Sequence, residues 1–173
     1  LGDDVFTLIG ERQMLITAGT EEKCNTMTAS WGGLGVLWGK KVATIYVGPQ
    51  RFTREFLERE GWFTLSFFDD SYRPQLALCE SLVRAIDWCG VKSGRDVDKI
   101  KECGFTVKAG EGDAPYIAEA ELVLVCRKLY WQDMDPSHFV DGQIEQHYPQ
   151  KDYHRMYIGE IVEALAERAI KMD

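Results

Sequence analysis

Short strand-like segments dominate the first half of the chain, and they constrain its fold more than any other feature. Each is rich in β-branched or aromatic residues and is bounded by Gly, Asp or Pro; the segments are residues 14–18, 26–31, 42–47 and 62–68. Segments of this length and composition form strands joined by short connections. The first half of the chain therefore predicts a β-sheet.

The second half predicts further strands. Residues 120–129 begin with apolar side chains on both faces, which is typical of a central strand covered on both sides. Residues 105–108 also have the composition of a strand. In residues 153–165, Gly159 and the β-branched content favour a strand until about Ala164, followed by a short polar helix. A helix remains an alternative prediction for this segment, because five apolar residues have spacings that are compatible with a helix: Met156, Ile158, Ile161, Val162 and Leu165.

Two short helices are predicted in the first half. One covers residues 54–60, with Thr53 as its capping residue, and it stops at Gly61. The other follows Pro74, where apolar residues recur at spacings of three and four: Leu76, Cys79, Leu82 and Val83. These helices connect strands and do not form a layer of their own.

A third helix is predicted after the capping box formed by Ser93 and Asp96. The hydroxyl and the carboxylate of such a box satisfy N–H groups at a helix start, and Gly104 ends the helix. A helical turn near Pro136 interrupts the polar loop that follows. Many short strands with a few short helices predict a mainly β barrel rather than a parallel sheet.

The size and net charge of the chain argue against some classes of function. A chain of 173 residues with 45% hydrophobic content is long enough for one domain with its own core, predicted over residues 1–173. The net charge of −8, from 20 basic and 28 acidic residues, argues against nucleic-acid binding, which needs a basic surface. No apolar run approaches the roughly 20 residues of a membrane-spanning helix, so we expect no membrane partner.

The number and spacing of the cysteines and histidines bear on the cellular compartment and on metal binding. The chain has 5 cysteines without a Cys-x-x-Cys pair and no segment typical of a signal peptide, so we expect a cytoplasmic protein. The 3 histidines do not combine with these cysteines at structural-zinc spacings, so no metal site is predicted. No cysteine pair has the sequence spacing of an oxidoreductase dithiol.

Two segments have the chemistry of a flavin-phosphate cradle. The first consists of Asn25, Thr26, Met27, Thr28, Ala29, Ser30 and Trp31. Its small hydroxyl residues can bring backbone N–H and hydroxyl groups to a planar ring and its ribityl tail. About twenty residues later, Arg51 and Thr53 open a helix suited to an anion. The alternative for the first segment is an ordinary edge strand with its polar residues facing water.

Four segments in order resemble the flavin reductase-like, FMN-binding split-barrel family, in its flavoredoxin-like branch. They are residues 25–31, 49–53, 89–99 and 152–161, and the resemblance extends over nearly the whole chain. It implies a mainly β fold, a six-stranded Greek-key split barrel with a few short helices. It also implies a homodimer that holds one FMN per subunit near the subunit interface.

The resemblance assigns cofactor-binding residues. The backbone amides from Met27 to Trp31, with Asn25 before them, would meet the flavin ring edge. The phosphate would contact Arg51, Thr53, Lys92, Ser93, Gly94 and Arg95, and Cys89 would be a thiol near the flavin. His154 lies where related reductases carry Asp-His ahead of the last strand, and it is the candidate catalytic residue; here Tyr153 separates it from Asp152.

Several of these residues have structural alternatives. Arg51 could be a surface charge paired with Glu55. Ser93 to Asp96 could serve as a helix cap, which is compatible with anion binding because both use the same amides. His154 could bond a loop carbonyl. Trp31 and Tyr157 could each line the ring or fill the core, and we favour Trp31 for the ring.

The sequence thus predicts an FMN-binding oxidoreductase that passes electrons through a non-covalently bound flavin. It would be an NAD(P)H-dependent flavin reductase, with NADH or NADPH as donor, or a flavoredoxin-like carrier. The flavin does the chemistry, so no protein acid or base is strictly required. The alternative is a non-catalytic module that binds flavin or another nucleotide-like ligand.

Overall fold

The computed structural model describes residues 4–68 and 85–166. The strands are β1 (Met14–Gly19), β2 (Cys24–Ala29), β3 (Gly32–Leu37), β4 (Lys40–Val47), β5 (Trp62–Phe67), β6 (Val107–Ala109), β7 (Pro115–Ile117), β8 (Leu122–Asp133) and β9 (Arg155–Ala166). The α-helices are α1 (Phe52–Arg59), α2 (Ala85–Val91) and α3 (Lys99–Glu102). A π-helical turn covers Thr7–Glu11, and 3-10 turns cover Glu111–Asp113, Pro136–His138 and Gly142–His147.

The fold is mainly β, as the sequence predicts. In the described residues, the main sheet has seven strands in the order β2-β1-β5-β8-β9-β4-β3, and β6 pairs with β7 in a small second sheet. Every strand pair is antiparallel. β8 lies between β5 and β9, which confirms that it is a central strand.

The main sheet curls until its two ends approach each other. β1 and β3 are five strand positions apart, which would separate them by about 24 Å in a flat sheet at roughly 4.8 Å per strand. A Cβ built on Gly32 of β3 would nevertheless lie 2.9 Å from Met14 Cε on β1. The sheet therefore wraps around a shared interior, and Gly32 permits the close approach.

Side-chain alternation fills the interior of this barrel. On β5, Phe63, Leu65 and Phe67 are fully buried in the main core, whereas Thr64 faces the other side and donates its hydroxyl to the Pro115 carbonyl at 2.7 Å. A second apolar cluster lies outside the barrel, where α2, α3 and β7 cover β1. It comprises Leu15, Ile86, Cys89, Cys103, Phe105 and Ile117.

Gly159 of β9 leaves room for an aromatic ring in the barrel core. A Cβ at this position would lie 2.6 Å from Phe63 Cζ and 3.0 Å from Cys126 Cβ. We expect Gly159→Ala to lower the free energy of unfolding by about 1–3 kcal/mol, because overpacking forces neighbours to shift. Chemical denaturation measures this loss. The control is Gly33→Ala on β3, where an added Cβ meets nothing within 4 Å; equal losses in both variants would refute the explanation.

The strand predictions differ from the structure in two places. The main sheet has seven strands rather than six, and the sequence analysis missed β3 because three glycines weaken its strand character: Gly32, Gly33 and Gly35. It also missed the three-residue β7. The strand predicted for residues 153–164 is confirmed as β9, whereas the polar helix predicted after it and the helix predicted after Pro74 lie outside the described residues.

Two predicted helix starts are wrong. Arg51, not Thr53, occupies the N-cap position of α1, and the Thr53 hydroxyl instead accepts a hydrogen bond from Asn25 Nδ2 at 2.8 Å. The helix predicted after the Ser93 capping box begins later, at Lys99. Its cap is Asp98, whose side chain accepts from the Lys101 N–H.

Two further local predictions agree with the structure. The 3-10 turn at Pro136–His138 confirms the helical turn, and Gly104 follows α3 with a φ of 65°. Across the described ranges, no helix is both long and apolar enough to cross a membrane.

Candidate functional site

A cleft of about 260 Å³ lies where β2, the turn before α1 and the loop before β9 meet. It collects residues that are far apart in the sequence. Seven of its lining residues are among those that the sequence analysis selected: Met27, Thr28, Ala29, Ser30, Trp31, Arg51 and His154. The others are Tyr46, Gln50, His147 and Asp152.

Among the strands of the described residues, β2 lies at one end of the main sheet and turns polar backbone groups toward this side of the molecule. The Thr26 carbonyl accepts a hydrogen bond from Lys99 Nζ at 3.0 Å, so it points away from the partner strand β1. Because backbone groups of an antiparallel strand repeat every two residues, the Thr28 N–H has the same orientation. A backbone donor therefore lies on the outer side of β2, at the residue that lines the cleft.

Arg51 supplies the positive charge of the cleft. It lies at the N-cap of α1, an eight-residue helix whose N-terminal end carries partial positive charge. Its Nη1 donates to the Gly90 carbonyl at 2.8 Å, which holds the side chain against α2. A guanidinium has five N–H donors, so several remain for an anion. The structure gives Glu55 a different partner, Arg95.

Aromatic rings form one wall of the cleft. Trp31 is 43% exposed and contacts two histidine rings, with centroid distances of 5.5 Å to His147 and 5.1 Å to His154. Tyr157, the other aromatic candidate, is buried in the barrel core. An exposed indole beside two imidazoles can accept a planar ring by stacking.

His154 is held at the inner edge of this wall. Its Nδ1 and the Tyr148 hydroxyl are 3.0 Å apart and share a hydrogen bond. Burial lowers the pKa of His154 below its ordinary value of 6.5; nearby Asp152 acts in the opposite direction and Arg51 in the same direction as burial. The imidazole is therefore neutral at neutral pH, and each of its nitrogens can donate or accept according to the tautomer.

The depressed pKa of His154 makes folding stability depend on pH. Between pH 6.5 and the lower folded-state pKa, the unfolded chain binds a proton that the folded chain does not. The free energy of unfolding must therefore fall as the pH falls through this interval. We expect His154→Asn to flatten this decline in urea titrations at successive pH values. The control is His138→Asn, at an exposed histidine; an unchanged slope in His154→Asn would contradict the assignment.

Other predicted binding residues lie outside this cleft. A second cavity of about 450 Å³ includes Asn25, Gly94 and Arg95 in its lining. Asn25 is buried, and a Cβ on Gly94 would overlap its amide oxygen at 1.9 Å, so the two residues pack directly together. Thr53, fully buried beside Asn25, completes this contact.

The turn around Ser93 does not have the form that the sequence predicts. Its Oγ accepts the Arg95 N–H at 3.2 Å, so the hydroxyl closes a local turn and does not cap a helix. Arg95 pairs with Glu55, donates to the Gln50 carbonyl at 3.1 Å and lies over the Phe52 ring. Lys92 is exposed at the end of this segment. No helix begins at Ser93, because α3 begins only at Lys99; phosphate binding by this turn stays a prediction.

Cys89 lies behind the cleft rather than in it. It is fully buried in the cluster beneath α2, and its Sγ is 3.7 Å from Cys103 Sγ. The sequence spacing of the cysteines gave no sign of this contact. Within the described parts of the chain, no group of three or more His, Cys, Asp or Glu residues is arranged to hold a metal ion.

Lys99 is the most unusual residue near the cleft that the sequence analysis did not select. It is only 4% exposed, and its Nζ donates to the carbonyls of Thr26 and Cys89 at 3.0 and 2.7 Å. Burial lowers its pKa, an effect that nearby Cys89 opposes and Arg51 reinforces. It ties β2 to α2. Its place within the family-like segment 89–99 was the available signal, as was the place of Gln50 within segment 49–53, whereas Tyr46 and His147 carried none.

Comparisons with known proteins agree with this architecture. Flavoredoxin from Methanosarcina acetivorans is 25% identical, with a TM-score of 0.65 over 90% of this chain and 68% of its own. An FMN-binding protein from Thermus thermophilus, solved with p-hydroxybenzaldehyde, is 21% identical, with a TM-score of 0.64 over 91% and 72%. NADH:FAD oxidoreductase from Streptomyces globisporus C-1027 is 20% identical, with a TM-score of 0.62 over 91% and 75%.

No curated protein sequence matches the chain. The model of the flavin reductase like domain, however, matches residues 8–171, nearly the whole chain. This match, together with flavoredoxins among the similar structures, confirms the resemblance seen in the sequence. The chain belongs to the flavin reductase-like domain family.

Proposed function

We propose that the protein is an FMN-binding oxidoreductase that holds the flavin non-covalently in the cleft lined by β2, Arg51 and His154. The observation that carries the proposal is the convergence of three kinds of group in one cleft: an edge-strand amide at Thr28, an arginine at a helix start, and an exposed indole at Trp31. A flavin requires all three, for its polar ring edge, its phosphate and its ring face.

The residues fit the chemical parts of FMN. The Thr28 N–H can donate to the ring edge, where negative charge develops on reduction. Arg51 and the N-terminal end of α1 suit the phosphate dianion. At about 260 Å³ the cleft lies just below the roughly 300–1,000 Å³ typical of small-molecule sites, so the ring would occupy it and the phosphate would extend along its rim.

Bound FMN would supply the redox chemistry, accepting electrons as hydride and passing them on. The chain's own residues would position and shield it. Trp31, in contact with His147, would cover one face of the flavin ring, and neutral His154 would offer a hydrogen-bond partner fixed by Tyr148. We propose NADH or NADPH as the donor, which makes the protein a flavin reductase; a flavoredoxin-like carrier would use the same site with a protein donor.

The first test is retention of flavin. The purified protein is mixed with FMN and desalted, its visible spectrum is recorded, and the flavin is released by denaturation and identified. We expect stoichiometric FMN, and parallel loading with FAD and riboflavin tests the contribution of the phosphate end. A colourless protein without measurable FMN affinity would refute the proposed site.

The second test is turnover. Oxidation of NADH and of NADPH is followed at the nicotinamide absorbance with excess FMN. We expect FMN-dependent oxidation of at least one nucleotide. Retained FMN without oxidation of either nucleotide would contradict the reductase and leave the carrier or a non-catalytic binding module.

We also propose that the protein is a homodimer. Exposed apolar side chains collect around the β3-β4 turn and β8: Val36, Leu37, Trp38, Tyr130 and Trp131. The Trp38 and Tyr130 rings are 6.3 Å apart, so the β3-β4 turn and β8 meet in one exposed apolar surface at these two residues. Apolar patches of this kind favour association. Sedimentation analysis should show a dimer for the wild type and a monomer for Val36→Glu; a monomeric wild type would refute the proposal.

A further inference from the structure

Two buried thiols are in contact behind the wall of the cleft. Cys89 of α2 and Cys103, the residue after α3, are 0% and 3% exposed, and their Sγ atoms are 3.7 Å apart. Both are free thiols. A disulfide requires a sulfur separation of about 2.05 Å, so a displacement of less than 2 Å would close the bond.

The surroundings favour a reactive thiolate on one of the two sulfurs. The hydrogen bond with Cys89 lowers the pKa of Cys103 against the effects of burial and of the nearby Glu102 carboxylate, and Lys99 acts in the same direction as this bond. Because the thiolate is the nucleophile in thiol oxidation, Cys103 is the attacking residue. Its chain neighbours Glu102 and Gly104 are exposed, so only a thin layer of protein separates it from solvent.

We propose that Cys89 and Cys103 form a reversible disulfide when the protein meets a peroxide oxidant. The Cys103 thiolate attacks one oxygen of hydrogen peroxide; the O–O bond breaks, hydroxide leaves and takes up a proton, and Cys103 becomes a sulfenic acid. The Cys89 sulfur then attacks the Cys103 sulfur and its proton leaves with the displaced hydroxide as water. Two thiols and one peroxide give one disulfide and two waters, a two-electron oxidation of sulfur.

Hydrogen bonds connect the segments that carry these two cysteines to the cleft. The carbonyl of Gly90, next to Cys89, accepts the Arg51 guanidinium, and the Thr28 hydroxyl donates to the Ile86 carbonyl of α2. Lys99 joins the Cys89 carbonyl to the Thr26 carbonyl of β2. Movement of α2 toward Cys103 would therefore displace partners of both Arg51 and β2. This consequence rests on the proposed flavin site, whereas the disulfide itself does not.

The test is peptide mapping of the intact, folded protein. Wild-type protein is treated with stoichiometric hydrogen peroxide, remaining thiols are alkylated, and the protein is digested with trypsin without reduction. Lysines and Arg95 separate the two cysteines, so the disulfide would join the peptide of residues 85–92 to that of residues 102–108. We expect this linked pair, and we expect dithiothreitol to release it. Cys103→Ser should abolish it, and Cys24→Ser should retain it.

Other outcomes would overturn the proposal. One is oxidation that stops at sulfenic or sulfinic acid without the linked pair. Others are pairing of either cysteine with a different cysteine, or a link that forms only in urea. Because the decisive observation is made on the wild type, a poorly folded Cys103→Ser variant would not weaken it.

A second measurement tests the connection to the cleft. FMN affinity is compared between oxidised and reduced wild type by flavin fluorescence. We expect several-fold weaker binding after oxidation, restored by dithiothreitol, and no change in peroxide-treated Cys103→Ser. A disulfide without any change in affinity would refute the connection, whereas absence of FMN binding in both forms would refute the flavin site and leave the disulfide in place.

Discussion

Arg51→Ala should weaken FMN binding by about 1.5–3 kcal/mol, which corresponds to roughly a 10- to 150-fold rise in Kd. The reason is the loss of a charge-assisted hydrogen bond to the phosphate at the start of α1. Loss of the bond to the Gly90 carbonyl would add to the effect by loosening α2 against the cleft. Quenching of flavin fluorescence on binding measures the affinity.

Two variants separate these contributions. Arg51→Lys keeps the charge but not the fork of donors, so it should recover only part of the affinity. Arg59→Ala removes an exposed arginine at the other end of the same helix and should bind FMN like the wild type. Unchanged FMN affinity in Arg51→Ala would mean that Arg51 holds α2 in place and does not bind the phosphate. Equal loss of riboflavin affinity would show that its effect does not act through the phosphate.

Phe63→Ala should lower the free energy of unfolding by about 3–5 kcal/mol, the range for a large aromatic residue removed from a core. Phe63 is fully buried on β5, and its ring occupies the space that Gly159 leaves on β9. Truncation leaves a cavity between β5 and β9, and because both strands are paired with β8, they cannot close it without disturbing that pairing. Because a domain has only about 5–15 kcal/mol of stability, the change should be large in urea denaturation.

The matched control for this prediction is Val162→Ala. Val162 lies on β9, in the same sheet, but it is 39% exposed, so its truncation should cost less than about 1 kcal/mol. A loss in Phe63→Ala no larger than that of the control would mean that the interior is not closely packed at this point. The double variant Gly159→Ala with Phe63→Leu should be less destabilised than the sum of its single changes, since the smaller side chain makes room for the added methyl group.

The candidate site shows how far sequence reasoning could reach. Residues that the pattern selected as one contiguous strand, from Met27 to Trp31, lie together in the cleft with Arg51 and His154. Two residues of the predicted phosphate turn, Gly94 and Arg95, line a second cavity instead, and Asp98 rather than Ser93 caps the next helix. Competing caps five residues apart have similar local energies, so the sequence could not decide between them.

Several long-range contacts could not be predicted from the sequence. Nothing in the spacing of Cys89 and Cys103 indicates that their sulfurs meet, and nothing near His147 indicates that it contacts Trp31. The buried position of Lys99 was equally hidden, since lysine is among the residues least often buried without a partner. Each contact depends on how separate segments pack.

The mainly β class, the central position of β8 and the strand at the end of the described chain could be predicted from the amino-acid sequence, because strand alternation and composition are local properties. The number and order of strands in the main sheet of the described residues, the packing of α2 over β2 and the set of polar residues that reach the cleft became visible only in the folded chain. Those features depend on the mutual fit of side chains such as Phe63 and Gly159, or Lys99 and two carbonyls. Such a fit exists only when distant segments meet, and no local pattern encodes it.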